Sequence, residues 1–267
     1  MVSFLSDLSD LSDLSELEAT LLSFLVMTYE KRGLFETMVK HPDFKNVYHL
    51  EHLNEEIRVF QDRNDAGNVL AGMLSDFVDS NALILGIPAG GIPVASVIAE
   101  RLGLTLDVAV VSKITLPWNT EAGYGAVAFD GTIGLNEPLI KRIGLSRDLV
   151  NEGIDKTSRK VNRRVQMLRG EKKSPDLEQK TIVLVDDGLA SGFTMLVALE
   201  AVSQFNVKQI FVAVPTGRLG SIRKIADRAE TIFCANIRSG QVFAVADAYK
   251  QWSDVSERQL LNILHKT

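Results

Sequence analysis

One stretch constrains the fold of this chain more than any other: Thr181-Ile182-Val183-Leu184-Val185-Asp186-Asp187-Gly188-Leu189-Ala190-Ser191-Gly192-Phe193-Thr194. Residues 182–185 are continuously apolar, rich in β-branched side chains, and stop abruptly at acid and glycine. That pattern predicts a central strand of a parallel sheet covered on both faces. Asp186 and Asp187 then stand at its carboxyl end, the edge where open α/β sheets bind ligands. A helix starting near Gly192 points its free N–H groups into the same crevice. Gly188 and Gly192 let the backbone approach a phosphate closely, and Ser191 and Thr194 add hydroxyl donors. The two carboxylates would repel a phosphate, so they suit sugar hydroxyls or a phosphate-bound divalent cation. A phosphorylated ribose meets both demands, whereas a plain strand-turn-helix junction needs one capping acid, not two.

Other phosphate-binding classes lack their signatures. There is no Gly-x-x-x-x-Gly-Lys-Ser/Thr, and Gly86 to Gly91 does not form Gly-x-Gly-x-x-Gly. With 267 residues, 46% of them hydrophobic, the chain can bury an ordinary core in one large domain with an extension. A net charge of −5 argues against nucleic-acid binding over the whole surface. Cys234 is the only cysteine, which excludes an intrachain disulfide and a cysteine-based zinc site. An acidic amino-terminal segment without a basic leader, and no apolar run near the roughly 18 residues of a membrane span, predict a cytoplasmic protein.

Along the chain, residues 6–17 repeat Ser-Asp/Glu-Leu with a period of three, which moves the leucines around a helix instead of lining one stripe. A helix follows from a Ser15/Glu18 capping box through Leu17, Leu21, Phe24, Leu25 and Tyr29 to Gly33. Further helices are expected over 62–78, 93–101, 146–169 and 219–228 and from Asp254 onward. Strands are expected over 82–86, 106–112, 209–214 and 231–235, with short β pieces over 125–129 and 132–135. Strands alternating with helices predict an α/β fold with a doubly wound parallel sheet.

The segment Val185 to Thr194 resembles the phosphoribosyl pyrophosphate signature of the type I phosphoribosyltransferases. Other segments agree in order: Phe60-Gln61-Asp62-Arg63-Asn64-Asp65-Ala66-Gly67, Pro88-Ala89-Gly90-Gly91-Ile92-Pro93-Val94-Ala95, Lys113-Ile114, Gly125-Ala126-Val127-Ala128 and Phe243-Ala244-Val245-Ala246. The resemblance runs from Phe60 to the carboxyl end. It implies a helical extension over 1–55 and a phosphoribosyltransferase domain over 56–267, with a flexible loop at 114–136 and a hood segment at 236–267. It also implies a homodimer that binds phosphoribosyl pyrophosphate with Mg2+ and transfers the phosphoribosyl group to a nitrogenous base.

The resemblance assigns roles by position. Ala190, Ser191, Gly192, Phe193 and Thr194 would hold the 5-phosphate, and Asp186 and Asp187 the ribose hydroxyls and, with the pyrophosphate, the Mg2+. Pro88, Ala89, Gly90 and Gly91 would form the pyrophosphate turn, with Lys113 adding charge to the leaving group. Glu121 and Tyr124 are the residues of a closing loop most able to act, although an ordered β excursion fits the same stretch. Phe243, Tyr249 and Trp252 offer stacking faces for a base, and Asp247 a partner for an exocyclic amine.

Two positions depart from the family pattern. Related sequences commonly carry arginine where this chain has Ala89 and Ser112, and each missing charge-assisted contact weakens phosphate binding by roughly 1.5–3 kcal/mol. A non-catalytic sensor of phosphoribosyl pyrophosphate or a nucleotide is therefore the alternative. The basic series Lys156, Arg159, Lys160, Arg163, Arg164, Arg169, Lys172 and Lys173 would serve a nucleic-acid-binding regulator, but its charges spread over several faces as on a solvated helix. A phosphatase-like use of Asp186 and Asp187 would require a further acid or nucleophile at another strand end, and 82–86 ends in none.

Overall fold

The computed structural model describes residues 38–265 except 171 and 173, and of residues 120 and 121 the backbone alone. The helix expected over 15–33, the Glu121 side chain and Lys173 lie outside the described residues. The strands are β1 (Met38–Lys40), β2 (Val47–Leu50), β3 (Leu83–Gly86), β4 (Thr105–Val108), β5 (Val111–Leu116), β6 (Asn119–Ala128), β7 (Ile133–Leu135), β8 (Thr181–Val185), β9 (Gln209–Arg218) and β10 (Thr231–Arg238). The α-helices are α1 (Arg63–Met73), α2 (Gly91–Leu102), α3 (Glu137–Ile143), α4 (Arg147–Arg169), α5 (Phe193–Ser203), α6 (Leu219–Ile225) and α7 (Glu257–Leu264).

Seven strands form one sheet in the order β1-β2-β10-β9-β8-β3-β4, parallel throughout except for the antiparallel edge strand β1. From β3 the chain winds outward to β4, and from β8 it winds the other way through β9 to β10. The winding direction therefore reverses between the neighbours β3 and β8, and a doubly wound sheet opens its ligand crevice at the carboxyl ends of such a pair. Both strands are wholly buried or nearly so. Leu83, Leu85, Ile182 and Leu184 share one core with Met195, Ala198 and Leu199 of α5. The alternating residues Ile84 and Val183, both 0% exposed, face the opposite layer, as the period of two requires. The expected central strand and the α/β class are thus present.

Helix boundaries follow their caps. Asp62 accepts hydrogen bonds from the Asn64 and Asp65 N–H groups and starts α1. α2 ends at Gly103 with φ 65°, a left-handed conformation that favours glycine. α4 starts at the Ser146 hydroxyl, which accepts from Leu149 N–H.

Several expectations need correction. β1 and β2 lie within the segment expected as a helical extension, and β2 pairs with β10 in the main sheet. The helix expected over 62–78 stops at Met73, and a 3-10 turn over Ser75–Phe77 completes the span. The strand expected over 106–112 is two strands: β4 ends on the parallel sheet, and β5 opens a separate antiparallel sheet with β6 and β7. That sheet occupies most of 114–136, so the stretch is the ordered β excursion and not the flexible loop. Its register shifts near Thr115 and Leu116.

Candidate active site

The loops that follow β3 and β8 meet at the reversal point. Ile87 N–H donates to Val185 O at 2.8 Å, which carries the pairing one residue past the end of β3. The backbone then turns through Pro88-Ala89-Gly90-Gly91, with a cis peptide between Pro88 and Ala89. This turn touches the acid pair directly. A Cβ on Gly90 would collide with Asp187 Oδ2, and one on Gly91 would stand 2.6 Å from Val185 O. Glycine is required at both places because carboxylate or backbone already fills the volume of a side chain. The Gly91 N–H donates to Ile87 O within the turn, so only Ala89 and Gly90 keep N–H groups without a described backbone partner.

Asp186 and Asp187 are both partly buried against this turn. Asp187 N–H donates to Asp186 Oδ1 at 2.8 Å. Burial pushes the Asp186 carboxyl well above the usual carboxylate range, and the neighbouring Asp187 charge pushes in the same direction, while Lys113 opposes it. Asp187 is also raised by burial, against the opposing charge of Arg63. Lys113 stands on the exposed face of β5, and its charge reaches Asp186. Ser112 points the other way along the strand and is 5% exposed, on the same side as the buried Ile114 and Leu116. An arginine at position 112 would therefore not share the Lys113 face, and the cost expected from its absence does not apply at this crevice. Ala89 lies in the turn itself and is partly buried.

The second loop runs from Gly188 to the start of α5. Leu189 pairs with the end of β9, donating to Thr216 O and accepting from Arg218 N–H. Gly192 takes φ 74° and packs on Ser221. Phe193 N–H donates to the Ser191 hydroxyl, and Leu196 N–H to Gly192 O. Two residues of α6 brace the loop from below: the Ser221 hydroxyl donates to Ala190 O, and Lys224 Nζ donates to Ser191 O at 3.0 Å. Ala190 and Ser191 are exposed, and the N–H groups of Ala190, Ser191 and Gly192 have no described backbone partner. These N–H groups and the N-terminus of α5 are backbone donors of the kind a phosphate takes. Thr194 is partly buried in the first turn of α5.

Arg63, which the sequence reading left without a role, enters the site from the first turn of α1. Its Nε and Nη2 both lie 2.9 Å from Asp187 Oδ2. Its Nη1 donates to Ser253 O, and its guanidinium lies 3.9 Å over the Trp252 ring. The backbone beside it is clasped to the carboxyl-terminal segment, where Phe60 N–H donates to Ala248 O and Lys250 N–H to Phe60 O. The only advance signal was the position of Phe60 to Gly67 among the resembling segments.

The expected loop and base-pocket residues separate. Tyr124 is 1% exposed, its ring set against Gly153 of α4 and its hydroxyl 3.4 Å from Leu149 O. It is a core residue and does not face the crevice. Tyr249 is also buried, and its hydroxyl donates to the Asp187 carbonyl at 2.6 Å. That bond anchors the Asp187 backbone, and burial leaves the Tyr249 ring no open stacking face. Trp252 stands in the same cluster, exposed, with Arg63 on its ring. Phe243 and Asp247 gather instead around Arg238, which lies 4.9 Å over the Phe243 ring and 3.3 Å from Asp247 Oδ2. The basic series divides too: Arg169 at the end of α4 pairs with Asp107 at 3.0 Å, and Lys172 beyond the helix donates to Leu264 O.

Residues 130–250 match the phosphoribosyl transferase domain family. Two Mycobacterium tuberculosis proteins, each named Putative phosphoribosyl transferase, are 29% identical over 210 residues, which is 79% of this chain and 47% of theirs. The chain therefore spans about half the length of these relatives. The crystal structure of TT1426 from Thermus thermophilus is 28% identical, with a TM-score of 0.65 over 79% of this chain and 99% of that one. Among the described residues, no helix is long and apolar enough to cross a membrane.

Proposed function

We propose that this chain, which carries a phosphoribosyl transferase domain, binds phosphoribosyl pyrophosphate with Mg2+ and transfers the phosphoribosyl group to a nitrogenous base, releasing pyrophosphate. The observation that carries the reading is the meeting of two glycine turns, 88–91 and 188–192, on either side of a partly buried acid pair at the β3/β8 reversal. One turn offers N–H groups to a terminal phosphate, the other to a leaving group, and the acids between them accept from sugar hydroxyls.

In this reading the 5-phosphate sits on the N–H groups of 190–192 with the Ser191 and Thr194 hydroxyls. Asp186 and the Oδ1 of Asp187 accept from the ribose 2- and 3-hydroxyls. The base nitrogen donates its electron pair to ribose C1 while the C1–oxygen bond breaks and its pair departs with pyrophosphate. Positive charge grows on the ring between these events, and an ionised carboxylate nearby favours it. Lys113 faces the side from which negative charge leaves. A divalent ion fits only in part, because two carboxylates, one already bonded to Arg63, fall short of the six oxygens that Mg2+ takes. Among the described residues no third acid, histidine or cysteine joins them. Asp186 and Asp187 Oδ1 would hold an ion whose remaining ligands come with the pyrophosphate, where it would supply neutralising charge.

A second reading, a sensor that binds the ligand without turnover, is favoured by Ala89, which leaves the pyrophosphate turn without a side-chain cation. Calorimetric titration of phosphoribosyl pyrophosphate with Mg2+ into wild type and the Asp186→Asn/Asp187→Asn protein tests the site. A panel of bases assayed for pyrophosphate release then separates the two readings. Binding lost in the variant together with base-dependent release supports the transferase, and binding without release by any base supports the sensor. Absence of binding in wild type rejects both.

A further inference from the structure

The acid pair already has a cation of its own. Two adjacent carboxylates partly buried at one strand end repel each other and lose hydration, and compensating charge favours such a pair. Arg63 supplies it from 124 positions upstream, its Nε and Nη2 converging on one oxygen, Asp187 Oδ2. The side chains of Arg63 and Asp187 are 11% and 14% exposed, so solvent screens the pair little. Ser253 O fixes the third nitrogen and Trp252 the plane of the guanidinium. A guanidinium does not lose its proton in a protein, so the charge is permanent.

We infer that Arg63 is the built-in counter-cation of this site: it stands where a free divalent ion would neutralise Asp187, and so restricts the acid pair to ions that arrive with a phosphorylated ligand. The first half stands on geometry alone, and the second rests on the proposed function. If Arg63 were only a strap for the carboxyl-terminal segment, removing its charge would loosen residues 249–253 without creating a cation site.

The test uses Mn2+ alone as probe, at pH 8, with free ion followed by electron paramagnetic resonance. Wild type and Arg63→Lys, which keeps the charge, are expected to bind it weakly. Arg63→Met is expected to bind one Mn2+ at least about 10–100-fold more tightly, the scale that one charge a few ångström from a divalent ion reaches even in water. The Arg63→Met/Asp187→Asn protein should return to the wild-type level. Should Arg63→Met fail to show a native near-ultraviolet spectrum, Arg63→Gln, which keeps a donor toward Asp187 without charge, takes its place. Equal Mn2+ affinity in wild type and the neutral variant overturns the inference, as does an equal gain in Arg63→Lys. Phosphoribosyl pyrophosphate is absent from these titrations, so failure of the transferase reading leaves their result readable.

Discussion

Gly90 and Asp187 occupy one small volume between them, since a Cβ on Gly90 would collide with Asp187 Oδ2. Gly90 has φ −66° and ψ −28°, which any residue can adopt, so the demand for glycine there is steric. Gly90→Ala must push the carboxylate away from Arg63. We expect a stability loss of about 1–3 kcal/mol in denaturant titration, together with loss of phosphoribosyl pyrophosphate binding in calorimetry. Unchanged affinity would show that Asp187 is not held by this turn.

The raised Asp186 carboxyl predicts a pH-dependent stability. A carboxyl whose folded-state affinity for protons exceeds the unfolded one stabilises the fold at acid pH. That contribution is lost as pH rises from the unfolded value, near 4, through the folded one. Asp186→Asn removes the ionisation while keeping an acceptor for Asp187 N–H. The variant should gain about 1–3 kcal/mol over wild type at pH 8, and the gain should vanish toward pH 4 in parallel thermal melts. A gain that is the same at both pH values would remove ionisation as its cause.

Tyr124 separates packing from ligand closure. Its ring is buried against Gly153, so Tyr124→Ala should cost about 3–5 kcal/mol. Tyr124→Phe gives up only a long contact to Leu149 O and should leave both stability and ligand affinity near wild type. A large loss of affinity in Tyr124→Phe, measured by titration of ribose 5-phosphate, would restore a ligand-facing role for the hydroxyl.

The brace under the proposed phosphate loop, 188–192, is testable at Ser221. With Ser221→Ala the Ala190 carbonyl loses its donor, at a cost of about 1 kcal/mol. Ribose 5-phosphate should then bind roughly fivefold more weakly, a factor this energy sets. Equal affinity would mean that the loop holds its shape without α6.

Ala89 is the remaining departure that bears on the crevice. Ala89→Arg adds a charge to the pyrophosphate turn and should tighten phosphoribosyl pyrophosphate binding by about 1.5–3 kcal/mol at low salt. Part of that gain should disappear as salt is raised. No change in affinity would place the pyrophosphate elsewhere.

Ser112 illustrates how the two kinds of information differ. As a letter next to Lys113 it looked like a lost phosphate contact, yet neighbours on a strand face opposite ways, and only the pairing of β5 with β6 decides which way. Tyr124, in a glycine-rich stretch, and Tyr249, near the carboxyl end, mislead in a related way, because an aromatic ring reads alike in sequence whether it faces solvent or core.

What could be determined from the sequence alone is local. The run 181–194 carries its strand, its acids and its helix start within fourteen consecutive residues, where side-chain period, glycine conformation and backbone donors act at short range. The alternation of strands and helices follows in the same way. The tertiary structure alone decided which distant elements meet: the Pro88 to Gly91 turn against Asp187, α6 beneath the phosphate loop, and Arg63 beside an acid 124 positions away. Those contacts arise from sheet order and helix packing, which sum many weak apolar interactions over the whole core. No short segment records their outcome, and the charge balance of the site depends on it.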